Sequence, residues 1–109
     1  MFSFEVARQQ GADSTAFWID FATTYFQRAE AEQSPSDYRK SIELLSKVLT
    51  RSANDRTALF NRAIVYERLS LFDNALADWN HYLQFDGKGA WADEARQRRE
   101  AVTRNLHGH

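Results

Sequence analysis

The chain has 109 residues, 43% of them hydrophobic and 14% aromatic, with four glycines and one proline. That length suits one domain, and that composition can bury a core, which excludes a disordered tail. So few breakers exclude a sandwich or barrel, which needs a turn signal every 8–12 residues or so. Lys and Arg number 14 against 15 Asp and Glu, a formal net charge of −1. Such a balance does not attract polyanions, so no nucleic-acid partner is expected. There is no cysteine, which excludes disulfides, thiolate catalysis and cysteine-based zinc sites. No apolar run approaches the roughly 18 residues of a membrane span. Met1 to Val6 lacks the basic start and long apolar stretch of a signal peptide, and the expected compartment is the cytoplasm.

Five helices are predicted in chain order, so the expected fold is all-α. Residues 1–12 carry Phe2, Phe4 and Val6 in alternation and are expected to form an irregular arm, partly disordered, before a helical domain over 13–106. The first helix runs from about Ser14 to Glu32, with Phe17, Trp18, Phe21, Ala22, Tyr25, Phe26 and Ala29 at helical spacing. Pro35 stops it and suits the opening turn of a second helix, about Ser36 to Arg51. Its apolar side holds Tyr38, Ile42, Leu45, Val48 and Leu49. Asn54 or Asp55 is a good N-cap for a third helix ending near Leu69. Ser70 is expected to cap the fourth, Leu71 to about Phe85. Gly87 is placed for a left-handed C-terminal cap. The fifth, about Ala90 to Leu106, has Trp91, Ala95, Val102 and Leu106 as its inward residues. A short tail, 107–109, follows.

Sliding the chain against itself by 34 residues aligns it without a gap. Arg28-Ala29 falls on Arg62-Ala63, and Phe26 on Phe60. Tyr38 falls on Phe72, Ser41 on Ala75, Leu45 on Trp79 and Val48 on Tyr82. Two helix–turn–helix units result, about 22–55 and 56–89, with the fifth helix over 90–106 as a polar-backed cap. Each unit has an apolar face that only stacking can hide.

At these positions the chain resembles the tetratricopeptide repeat (TPR) family. Ala29 and Ala63 match the small residue where paired helices cross, and Tyr66 the bulky residue three later. Tyr38 and Phe72 match the aromatic that opens the second helix, and Ala75 the alanine after it. Departures are Glu32 at a bulky position, Val48 and Tyr82 at a usual alanine, and Ala53 and Gly87 at the usual proline. Asp78-Trp79, Tyr82-Leu83 and Trp91-Ala92 also resemble the ends of repeat arrays in large bacterial multidomain proteins. The resemblance implies a right-handed α-α superhelix of two TPR-like hairpins closed by a solvating helix.

Nothing in the chain assembles a catalytic or metal centre. His81, His107 and His109 lack carboxylates at the i, i+4 spacing of a helical metal site. No glycine-rich phosphate loop is present. No cofactor is expected, and the protein is not expected to be an enzyme. Arg96, Arg98, Arg99 and Arg104 are interleaved with Asp93, Glu94 and Glu100, as on a solvated helix face.

The resemblance places function in a groove lined by the first helix of each unit. The first unit supplies Thr23, Phe26, Gln27 and Glu30, with Gln33 beyond. The second supplies Thr57, Phe60, Asn61, Ile64 and Glu67. Trp91, Glu94 and Arg98 come from the closing helix. Phe26 and Phe60 are expected as side-by-side anchors supported by Ile64, with Asn61 and Gln27 holding a partner's main chain. The carboxylate clamp of some family members is incomplete, since only Asn61 matches it. The function this implies is non-catalytic capture of a peptide or helix of a protein partner. The alternative is a structural module that buries its groove or its first face in a homodimer.

Overall fold

A computed structural model describes residues 14–85 and 87–107. The expected arm over residues 1–12 lies outside the described residues. So do the last two positions of the expected tail.

The described chain is all-α: α1 (Ser14–Glu32), α2 (Pro35–Arg51), α3 (Arg56–Arg68), α4 (Phe72–Phe85) and α5 (Ala90–His107). Each helix packs against the next, and α1 also touches α3. The helix ends follow from local chemistry. Ser34 closes α1 and opens α2. Its N–H donates to the Ala29 carbonyl at 3.1 Å, while its hydroxyl accepts from the Asp37 N–H at 3.3 Å. Pro35 then takes the first helical position, where its missing N–H costs nothing. Asp55 caps α3 by accepting from the Ala58 N–H at 2.9 Å.

Two ends depart from expectation. Ser70 is not an N-cap. It sits at φ 59, its N–H donating to Glu67 O at 3.0 Å and that of Leu71 to Tyr66 O at 2.9 Å. This is the paired-bond ending that normally uses glycine; Gln33, at φ 51, ends α1 in the same left-handed conformation. Gly87 does not hold the left-handed position between α4 and α5 either. That conformation belongs to Gly89, at φ 94, whose carbonyl accepts the first bond of α5 from Asp93.

The 34-residue period is carried by burial. Ala29 and Ala63, Phe26 and Phe60, Ser41 and Ala75, Leu45 and Trp79, and Val48 and Tyr82 are all buried pairs. Ser41 replaces alanine without leaving an unpaired hydroxyl, because its Oγ donates to the Ala22 carbonyl at 2.9 Å. Among the described residues no buried side-chain nitrogen or oxygen lacks a partner.

Arg28 and Arg62, which the 34-residue shift aligns, are tied differently. Arg28 makes a two-point pair with Asp37 at the start of α2, at 2.9 and 2.8 Å. Arg62 makes one with Asp78 in the middle of α4, with both distances 2.7 Å, and also donates to Ser46 of α2 at 3.0 Å. Leu44 stands at the register position of Asp78, and Leu71 at that of Asp37.

Candidate binding depression on the α1, α3 and α5 face

The centre of this face is aromatic. Phe60 is buried in α3. It meets Trp79 and Tyr82 of α4 edge-on, with ring centroids 4.9 and 5.3 Å apart. Trp91 of α5 lies edge-on to the same ring at 5.2 Å. Such edge-to-face pairs add to the burial of the rings themselves. Trp91 was expected to turn inward, yet 50% of it stays exposed. Gly89 sets the start of α5 one residue before Ala90, so Trp91 falls in the first turn, at the rim.

Phe60, Ile64, Ala90, Trp91, Glu94 and Arg98 line a surface depression of about 290 Å³. Phe60 and Ile64 form its buried floor and Trp91 its open wall. Arg98 spans its far side, with Nε donating to Glu94 at 2.7 Å and Nη1 to Glu67 at 3.2 Å. Glu67 also accepts from the Trp79 indole N–H at 2.6 Å. One guanidinium thus lies between two carboxylates, leaving a small negative excess beside an apolar floor.

The first unit is closed off from this depression. Phe26 is buried, and the Arg68 guanidinium lies 5.9 Å from its ring centre. Arg68 Nε also donates to Glu30 at 3.1 Å, while the Tyr38 hydroxyl donates to the other Glu30 oxygen. Burial pushes the Glu30 carboxyl up, but the bonds from Tyr38 and Arg68 outweigh it and hold the group below its ordinary value. Burial and the same carboxylate together push the Tyr38 hydroxyl up.

Phe60, Ile64 and Trp91 therefore come together with Glu94 and Arg98, and Glu67 joins them through Arg98. Thr23, Phe26, Gln27 and Glu30 do not line the depression. The expected pair of open anchors is corrected: both Phe26 and Phe60 are core, because Tyr38 meets the first ring and Trp79, Tyr82 and Trp91 the second. Asn61 is fully buried and Thr57 nearly so. Only Gln27 of the two expected amides stays at the surface. Thr23 turns its hydroxyl back to the Ile19 carbonyl at 2.9 Å. Arg68 was missed because its partner Glu30 is 38 residues away and no local pattern links them.

The basic side chains of α5 mostly meet partners nearby. Arg96 pairs with Asp93 and Arg104 with Glu100, while Arg99 donates to Asn80 of α4. His81 shares a 2.9 Å bond with Asn54. Among the described residues no three His, Asp or Glu side chains converge as a metal site. No described helix is long and apolar enough to cross a membrane. No protein-family profile matches the chain, and comparison with curated proteins gives no match either.

Proposed function

We propose that the chain is a non-catalytic, TPR-like interaction module that holds a peptide or helix of another protein. The observation that carries this reading is Trp91, half exposed while seated on a buried Phe60 at the mouth of an apolar depression. A partner would insert one bulky apolar side chain against Phe60, Ile64 and Trp91. Its neighbouring main-chain N–H groups or a basic side chain would meet Glu94. An exposed tryptophan beside an apolar pocket is the kind of anchor that dominates interface energies. The gapless 34-residue period supports the array architecture. With one anchor, binding is expected on the order of micromolar.

Peptide display against the intact protein tests this. Selected peptides should share one bulky apolar residue. Trp91→Ala should lose them by at least about tenfold, more than 1.4 kcal/mol, with helicity kept. No enriched motif, or binding indifferent to Trp91, would overturn the reading.

A further inference from the structure

The outward side of α1 presents another surface. Phe17, Asp20, Phe21, Thr24, Arg28 and Ala31 share one side of this helix by their spacing, opposite the buried Ile19, Ala22, Phe26 and Ala29. Phe17 is 57% and Phe21 42% exposed, and their rings meet edge-on at 5.6 Å. In α3 the matching register positions are treated differently. Ala58 and Val65, which correspond to Thr24 and Ala31, are fully buried on the side from which Arg62 reaches Ser46 of α2. A neighbouring helix covers this side of α3, while on α1 it faces outward.

We propose that α1 packs antiparallel against α1 of a second copy, with the two-fold axis at Thr24. The charge order of the face selects this arrangement. Asp20 and Arg28 are its two ionisable residues, of opposite sign and each four positions from Thr24. A two-fold axis there sets Asp20 opposite Arg28 of the second copy, twice. A parallel pairing would set like charges together. Arg28 donates to Asp37 through Nε and Nη2, so the second copy's Asp20 would be met by the remaining Nη1. The same axis brings Phe17 opposite the small, exposed Ala31, and Phe21 beside Thr24 and Gln27. A Phe side chain brings roughly 150–250 Å², so two copies withdraw roughly 300–500 Å² of ring surface from water. Stable interfaces bury above about 1,000 Å² in total, so this dimer is a weak one.

Sedimentation equilibrium on the full chain, from low micromolar to millimolar, should show reversible monomer–dimer exchange. Phe21→Glu should abolish it with unchanged helicity, and Asp20→Lys should weaken it about tenfold. The chain has no cysteine, so a single introduced thiol reports its own contact. Thr24→Cys should oxidise to a linked dimer faster than Phe17→Cys. Trp91→Ala should leave the dimer intact, which separates this surface from the peptide site. A monomer over the whole range would overturn the proposal and leave the face to residues 1–13 or to a different protein. Faster linkage through Phe17→Cys would overturn the axis at Thr24.

Discussion

Arg62 and Asp78 form a two-point ion pair between α3 and α4, with both nitrogen–oxygen distances 2.7 Å. The carboxylate side chain is 6% exposed and the guanidinium 20%. Burial disfavours the charged Arg62, but the bonds to Asp78 more than offset it, and its pKa is raised overall. Removing one partner strands the other. Asp78→Ala should cost about 3 kcal/mol, near the lower end for a broken buried pair because Arg62 reaches some water. Asp37→Ala should cost far less, since Arg28 is 55% exposed. Urea denaturation of the two variants side by side checks the order.

Phe60 and Trp91 should separate stability from binding. Phe60→Ala removes the ring on which three other aromatics converge and should cost roughly 3–5 kcal/mol, enough to unfold much of the chain at room temperature. Trp91→Ala removes a half-exposed ring and should leave the thermal transition within a few degrees of the parent. Circular dichroism melts decide between them. A Phe60→Ala protein that melts like the parent would show that its ring is not core.

Ser70→Gly should stabilise the chain by about 0.5–1 kcal/mol. A serine at φ 59 bears the crowding of Cβ against the backbone that glycine lacks. Gln33→Gly should act in the same direction, and the two should add because they lie at different helix ends. A lower midpoint in either variant would show that its side chain supplies more than the backbone geometry costs.

These two ends also show where sequence reasoning stops. Pro35 and Asp55 declare helix starts by chemistry that acts within one turn, and both starts fall within one residue of expectation. Ser70 misleads because its type favours an N-cap, whereas the lengths of α3 and α4 place it in a left-handed ending. Phe60 is buried in α3. Its assignment to an open groove came from family resemblance, which carries no information about Trp91 closing over it. Arg68 with Glu30, and Arg62 with Asp78, depend on how helices cross, which no spacing within one helix encodes.

Acid should weaken the fold through two carboxylates. The Arg28 guanidinium bonded to Asp37 holds that carboxyl below its usual value, and Glu30 is also held low. In the unfolded chain both return to about pH 4. The unfolded state therefore binds more protons as pH falls past that point. The stability these pairs supply is present in full above the unfolded values and is lost as pH falls through the folded ones. Melting temperature should drop below about pH 4, and Asp37→Asn should flatten part of that drop. A variant with the parent's acid slope would exclude Asp37 as a source.

Because each helix packs mainly on the one that follows it, most contacts close short loops. Chains of this kind pay little loop-closure entropy before their contacts form, so refolding should be fast, on the microsecond-to-millisecond scale of low-contact-order helical proteins. Growth can start at the aromatic junction of α3, α4 and α5 and spread outward. Its reverse is fraying: α1, which among the described helices packs mainly on α2 and touches α3, should surrender its amide protons to solvent before the Phe60 junction does.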